Sequence, residues 1–381
     1  MKIVCISTSQ VPSDAANSIQ VMKTCQAMVR LGHDVHLLVP GEGPLDWNRM
    51  AEHYGLAASF EISWLPAAPR FKHNDFAWAA VRRAKKLHAE RIYTWAGQSA
   101  VFGLLAGVPT AFEIHDMPTG KLGPLWVGAY LRLPGKKRAL PITTALLQKI
   151  EQRYGRISPD QVVIAPNGVD LEQYQNLPAA QAARRALNLP GLPPERLTVL
   201  CAGHLYSGRG VDLFLRLAER FPRASFVWVG GRPEDVAAYR AKADEAGLEN
   251  VVFTGFISQR NLPCYQTAAD VLLMPYARSI AGSSGGNSAD ICSPMKMFDY
   301  LAAGRAILSS DLPVIHEVLQ GHDGEGPGVD TLNGEDELLG VTVDPCVHVA
   351  DGFDAVRRDL VDLHPIGTAG HDATDLVGTG A

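Results

Sequence analysis

Ser293-Pro294-Met295-Lys296-Met297-Phe298-Asp299-Tyr300-Leu301-Ala302-Ala303-Gly304 runs on to Ile307-Leu308-Ser309-Ser310-Asp311-Leu312-Pro313. The spacing predicts a polar loop, a short amphipathic helix ending on Gly304, a small buried strand and a turn. Met295, Phe298, Leu301 and Ala302 form the apolar stripe of that helix, and Asp299 lies beside it. A helix opening from such a loop points unpaired N–H groups and the positive end of its dipole at whatever precedes it, a place suited to phosphate. Asp299, one turn inside, is placed to accept hydrogen bonds from sugar hydroxyls; the plain alternative is a solvated surface acid. Lys296 likewise reads either as a phosphate contact or as an exposed helical lysine.

Outward from this stretch the chain alternates strand and helix. Leu197–Gly203 reads as a strand, and Ala202-Gly203-His204-Leu205-Tyr206-Ser207-Gly208-Arg209-Gly210-Val211-Asp212 carries it through a glycine-rich turn into a helix over Val211–Phe221. Taken alone, that run is an ordinary βα turn that needs glycine for its geometry. Strands follow at Ala224–Gly231, Val251–Gly255 and Val271–Pro275, with helices at Pro233–Ala246 and Gln259–Ala268 and a glycine/serine loop at Ser279–Ser288. The first half has the same grammar. Strands are expected at Lys2–Ser7, Asp34–Pro40, Arg91–Trp95, Thr110–Ile114 and Gln161–Pro166, and helices at Ser18–Leu31, Phe76–His88 and Ser99–Leu105. Such alternation implies mostly parallel, doubly wound sheets. The polar, alanine- and proline-rich passage Leu177–Pro194 marks a boundary between two of them.

Length and composition agree. A chain of 381 residues exceeds one ordinary domain, and 46% hydrophobic residues suffice for two cores. No apolar run approaches the roughly 18 residues of a membrane span. Met1–Thr8 is a strand-like run with one lysine rather than a signal peptide. Cysteines 5, 25, 201, 264, 292 and 346 show no paired spacing, so no zinc site is read from them and they are expected to be reduced, mostly buried thiols of a cytoplasmic protein. The net charge of −5 divides into +6 over residues 1–317 and −11 over the last 64 residues. A mildly basic body suits an anionic substrate. The acidic, glycine-rich tail, with Phe353 its only Phe, Tyr or Trp, is a poor source of core.

These segments together resemble the retaining glycosyltransferases of the GT-B fold, family-4 type (glycosyl transferases group 1). The resemblance covers roughly residues 1–318. It implies an α/β chain of two Rossmann-like domains facing a cleft: an acceptor domain over residues 1–180, a nucleotide-sugar donor domain over 181–318, and an atypical tail over 319–381, expected to be largely disordered. In the family, an Arg after the first glycine of the Gly203 turn and a Lys before its Gly-Val meet the donor diphosphate; here His204 and Arg209 fill those places. A guanidinium grips phosphate bidentately. The family's acid at Asp299 is usually a Glu that holds the ribose, and the segment Ser293, Pro294, Met295 and Lys296, with its backbone amides, lies at the phosphate end. The histidine of a Glu-x-His segment, here His115 in Glu113-Ile114-His115-Asp116, lies by the transferred sugar. The family's Gly-Gly loop is replaced by Ala15-Ala16-Asn17-Ser18, in which Ser18 is a helix N-cap or a neighbour of the diphosphate. Gly230-Gly231 and Gly255-Phe256-Ile257 resemble loops flanking the base.

The reading implied is transfer of a sugar from a nucleotide-diphosphate-sugar to a hydroxyl acceptor (glycan, lipid-linked or small molecule), with retention. His115, Arg209 and Asp299 carry the reaction, no metal or cofactor takes part, and nucleic acid is no partner. A sugar-nucleotide epimerase on the same fold, or a catalytically impaired GT-B binding protein, are the alternatives. The basic runs Arg82-Arg83-Ala84-Lys85-Lys86 and Arg132–Arg138 have two readings, solvated helix faces or contacts to an anionic inner membrane surface.

Overall fold

The computed structural model describes residues 1–43, 46–189, 193–277 and 289–319, with the backbone of 329–332 and 338–341. The first domain begins with β1 (Lys2–Ile6), α1 (Ala16–Arg30), β2 (Asp34–Pro40), α2 (Trp47–Tyr54) and β3 (Glu61–Leu65). It continues with α3 (Asn74–Lys86), β4 (Arg91–Thr94), α4 (Gly97–Leu105), β5 (Thr110–Ile114), α5 (Gly123–Arg132), β6 (Lys137–Pro141) and α6 (Thr144–Tyr154). After a linker that includes a 3-10 turn at Leu171–Tyr174 come α7 (Ala180–Leu187), β7 (Thr198–Ala202), α8 (Val211–Arg220), β8 (Ser225–Val229), α9 (Pro233–Glu245), β9 (Val251–Gly255) and α10 (Leu262–Ala268). The described part closes with β10 (Val271–Met274), α11 (Met295–Ala303), β11 (Ala306–Ser310), α12 (Pro313–Leu319), β12 (Val329–Leu332) and β13 (Leu338–Val341).

Two sheets result. The first has strand order β3-β2-β1-β4-β5-β6, all parallel. The second has order β12-β13-β11-β10-β7-β8-β9, parallel from β11 to β9, with β13 and β12 added antiparallel at one edge. In such sheets ligands bind beyond the carboxyl ends of the strands where the order reverses. That rule selects the loops after β1 and β4 in one domain and after β7 and β10 in the other. Strands buried on both faces read as continuous apolar runs, as Val-Cys-Ile of β1 and Leu-Leu-Val of β2 do.

Several expectations are corrected. α1 starts at Ala16, with Ala15 as its cap, so Ser18 is not an N-cap; its hydroxyl faces inward onto Tyr54. Gln161–Pro166 is no strand: it begins on the last residue of a 3-10 turn over Pro159–Gln161 and makes a single bridge from Val162 to Ala139. α11 is not amphipathic in its first two turns, because Lys296 to Tyr300 are all buried. It is enclosed by the second sheet, α10 and the Leu171–Tyr174 turn, and so has no solvent face there. Lys137, expected on a basic surface, is buried instead and donates to the carbonyls of Tyr130, Leu131 and Leu133, completing the C-terminus of α5. Cys5, Cys25 and Cys201 are buried free thiols, and Cys264 and Cys292 are half-buried. Cys346, the Ser279–Ser288 loop and the tail beyond Val341 lie outside the described residues.

The domains are joined by polar contacts. Glu317 of α12 accepts from Thr144 N at 3.0 Å and Ala145 N at 3.1 Å, so a carboxylate from one domain satisfies two open amides of α6 in the other. Asp170 of the linker pairs with Arg30 at 2.7 Å, and Glu52 pairs with Arg260 at 2.7 Å.

Candidate active site

The loop from Gly203 to Gly210 leaves the carboxyl end of β7, beside the strand-order reversal at β10. Gly210 has φ +79°, and a Cβ there would stand 1.4 Å from the Pro275 carbonyl oxygen. The loop after β10 therefore lies directly on this turn, and only glycine fits. Gly203, at φ +139°, passes so close to α11 that a Cβ would meet Lys296 Nζ at 3.4 Å.

This packing gathers two cations around aromatic rings. The Arg209 guanidinium lies 4.5 Å from the Tyr206 ring centre and 5.5 Å from that of Tyr276, and it donates to both phenol oxygens. Lys296 Nζ stands 5.0 Å from the Tyr276 ring centre and 6.0 Å from the Trp228 ring, with Cys201 Sγ at 3.7 Å. Lys296 is only 8% exposed. Among the described residues neither cation pairs with a carboxylate, and the Arg209 Nε has no hydrogen-bond partner. Burial pulls the Lys296 ammonium below its ordinary range; Cys201 opposes this and the Arg209 charge adds to it. For Arg209, burial works against the charge, but the phenols of Tyr276 and Tyr206 outweigh it. A buried ammonium and a half-buried guanidinium sharing one ring, without a fixed anion among the described residues, form a place where an anion is stabilised strongly.

The mouth of α11 borders this place. Ser293 is tied across the cleft, its Oγ accepting from Asn167 N at 3.0 Å and its carbonyl from the Asn167 side chain. Pro294 caps the helix without a side-chain bond, leaving the amides of Met295 and Lys296 uncapped by any side chain. His204 reaches the other domain, its Nε2 lying 3.2 Å from the Asp14 carbonyl, and its ring stacks on Tyr206 at 6.1 Å. Gly203, His204, Arg209, Ser293, Pro294, Met295 and Lys296 thus surround one region.

The remaining candidates are placed differently. His115 lies at the end of β5, where its Nε2 is 2.5 Å from Glu113 Oε1. Glu113 is buried, receives Gln20 Nε2 at 2.6 Å and is also bonded by the Tyr93 hydroxyl. Asp299 is buried beneath the Leu171–Tyr174 turn; burial raises its carboxyl above the usual range, against the Lys23 charge and the polar groups of Tyr174 and Gln266. Asn17 is exposed in the first turn of α1 with its Oδ1 on Ser18 N, and the Ser18 hydroxyl lies 2.7 Å from Tyr54. Phe256 stacks on His53 of the first domain at 5.2 Å and remains 38% exposed. Tyr206, Tyr276, Trp228 and Tyr93 complete these clusters without a role read for them in the sequence, and Glu113, quoted there only as part of the Glu-x-His segment, is the partner of His115. Tyr206 lies inside the glycine-rich run and Tyr276 one residue past a predicted strand end, the signal by which both were findable.

A cavity of about 570 Å³ opens elsewhere, between α8 and the amino ends of β7, β8 and β10, lined by Val199, Leu217, Phe221, Phe226 and Val271. It carries none of these groups and lies at the opposite end of the strands from the cation pair.

Two Rossmann-like α/β domains, joined across a cleft with the polar clusters at the carboxyl ends of their strands, define a GT-B protein. Residues 18–173 match the family described as Glycosyltransferase Family 4, and residues 196–337 that described as Glycosyl transferases group 1. The second match runs past residue 318, where the resemblance read from the sequence stops. The alpha-galactosylglucosyldiacylglycerol synthase of Streptococcus pneumoniae is 26% identical over 170 residues, 44% of this chain and 42% of that protein. The GDP-mannose-dependent alpha-(1-6)-phosphatidylinositol monomannoside mannosyltransferase of Mycobacterium tuberculosis is 34% identical over 122 residues, 31% of each. The chain thus spans less than half the length of these curated relatives. Anabaena HepE, solved with UDP-glucose, shares the fold at TM-score 0.58 and 16% identity, over 81% of this chain and 80% of that one.

Proposed function

We propose that this protein transfers a sugar from a nucleotide-diphosphate donor to a hydroxyl acceptor, with retention at the anomeric carbon. The observation that carries the reading is the pair Arg209 and Lys296, both over the Tyr276 ring and without a carboxylate partner among the described residues. As the glycosidic C–O bond breaks, negative charge grows on the departing diphosphate. Arg209, Lys296 and the amides at the mouth of α11 stabilise that charge, each preorganised donor contributing about 3 kcal/mol at the transition state. His204 adds a weaker contact from the same loop. These groups supply the positive charge that a divalent metal provides elsewhere, so turnover is insensitive to EDTA. His115, held by Glu113, lies on the acceptor side and meets the transferred sugar, while Asp299 supports the ribose end of the donor once the Tyr174 hydroxyl yields its place. Asn17 and Phe256 line the approach to the diphosphate and the base, while Ser18, buried with its hydroxyl on Tyr54, braces the start of α1 from within.

The relatives' names place a diacylglycerol glycolipid and a phosphatidylinositol mannoside among the molecules such proteins make or use. On that basis the acceptor belongs to a membrane lipid and the protein works peripherally at the inner face of a membrane. Among the described residues no helix is long and apolar enough to cross one.

Thermal denaturation with UDP, GDP and ADP, each against its monophosphate, tests the donor site. One diphosphate raises Tm well above its monophosphate, and Arg209→Ala or Lys296→Met removes the difference. Equal responses in wild type and both variants would exclude the cation pair as the donor site.

A further inference from the structure

Helices α3, α4 and α5 pack side by side on the first domain and leave an apolar row in solvent. Trp78 of α3 meets Phe102 of α4 edge-on at 5.7 Å, and Phe102 meets Trp126 of α5 at 5.4 Å. This aromatic ladder crosses all three helices. Along it Trp78 is 54% exposed, Leu105 65% and Leu125 64%, with Leu122 at 45%. A contiguous row of this kind is uncommon on a free soluble surface and marks an interaction site.

Charge decides the partner. The three helices together carry Arg82, Arg83, Lys85, Lys86 and Arg132 but only one acidic residue, Asp75. Asp75 is occupied, accepting from the Ala68 amide at 2.7 Å. Arg82, Lys85 and Lys86 follow Trp78 on the same face of α3 at helical spacing. Among the described residues none of these cations pairs with a carboxylate. An aromatic and leucine row flanked by unpaired lysines and arginines matches an anionic bilayer, whose interface takes up indole rings while its headgroups attract the cations. A protein partner or a second copy of this basic face would have to bring compensating acidic groups.

We infer that the α3–α4–α5 face is the surface by which this protein docks on an anionic lipid bilayer, with Trp78, Leu105 and Leu125 entering the interface. The loop from His115 to Leu122 joins the carboxyl end of β5 to this row within a few residues, so docking brings the acceptor side of the cleft to the membrane. The inference rests on the transferase reading for its purpose, not for its measurement.

The test is co-sedimentation with phosphatidylcholine vesicles, with and without phosphatidylglycerol, without any donor present. Wild type pellets with the phosphatidylglycerol vesicles and stays in solution with phosphatidylcholine alone. Trp78→Glu with Leu125→Glu, and separately Arg82→Glu with Lys86→Glu, each weaken binding at least about tenfold. Both pairs are surface changes, so far-UV circular dichroism and the diphosphate-dependent rise in Tm stay as in wild type. Unchanged binding by either variant pair overturns the proposal. So does failure of folded wild type to pellet at low salt, or a shift from dimer to monomer in Trp78→Glu/Leu125→Glu without loss of vesicle binding. Failure of the transferase reading shows itself differently, as loss of the diphosphate response in a wild type that still pellets.

Discussion

Lys296 Nζ has a thiol, Cys201 Sγ at 3.7 Å, where a buried ammonium ordinarily has a carboxylate. The native fold therefore holds this amine at a cost, and the depressed proton affinity expresses it. Lys296→Met removes the charge and keeps the volume. We expect the unliganded variant to be about 1–2 kcal/mol more stable in urea than wild type, yet unresponsive to nucleoside diphosphate. A variant less stable than wild type would show that the ammonium has a compensating partner.

The same amine sets an alkaline pH dependence. Its folded pKa lies below 10.5, the value it takes when unfolded. Between those two values the unfolded chain binds more protons, so stability rises with pH across that window and levels off above it. Urea titrations at stepped alkaline pH should show the rise in wild type and a flatter profile in Lys296→Met. Diphosphate binding favours the charged amine, so it takes up protons in the same window, measurable as a buffer-dependent heat.

Glu113 orients His115 through the 2.5 Å contact to Nε2, and is itself held by Gln20 and Tyr93. Glu113→Gln preserves shape but loses the charge that directs the imidazole. We expect kcat to fall about 10- to 100-fold with donor KM little changed. His115→Ala combined with Glu113→Gln should cost no more than His115→Ala alone; additive losses would separate the two residues.

Glu317 caps α6 from the other domain. Glu317→Ala should cost about 1 kcal/mol, more at low salt, through loss of the charged cap. Hydrogen exchange at Thr144 and Ala145 should accelerate selectively, and unchanged protection would mean that water replaces the carboxylate without loss.

Two glycines with similar backbone angles separate close approach from simple permissiveness. Gly210→Ala places a Cβ 1.4 Å from the Pro275 oxygen, whereas Gly247 has nothing within 4 Å. Gly247→Ala should cost about 1 kcal/mol. Gly210→Ala should yield insoluble protein or a loss several times larger; similar Tm values for the two variants would disprove the close packing of the β10 loop on the glycine-rich turn.

Much of this architecture was legible along the chain. The alternation of strand and helix and the strand–glycine–helix run at Gly203–Val211 appear in the structure within a few residues of where the spacing puts them, while the polar passage Leu177–Pro194 holds the short helix α7. α2, β3, α5, β6, α6, α7, α12, β12 and β13 escaped notice. Trp47–Tyr54 is short and polar, and Lys137–Pro141 opens on a lysine whose burial makes sense only once α5 presents its carbonyls. Lys296 looked as much like a solvated lysine as a ligand contact, since helical spacing does not reveal that a helix is enclosed on every side.

Periodicity, glycine placement and turn chemistry act over a handful of neighbouring residues, so the sequence by itself determined most of the central strands and helices and the α/β class of both halves. Which polar group meets which was decided by tertiary structure alone. Arg209, Tyr276 and Lys296 come from three separate segments, and they meet because β7 lies beside β10 while α11 packs behind both. The pairing of distant strands brings an amine and a guanidinium to one aromatic ring, and no local rule encodes that neighbourhood.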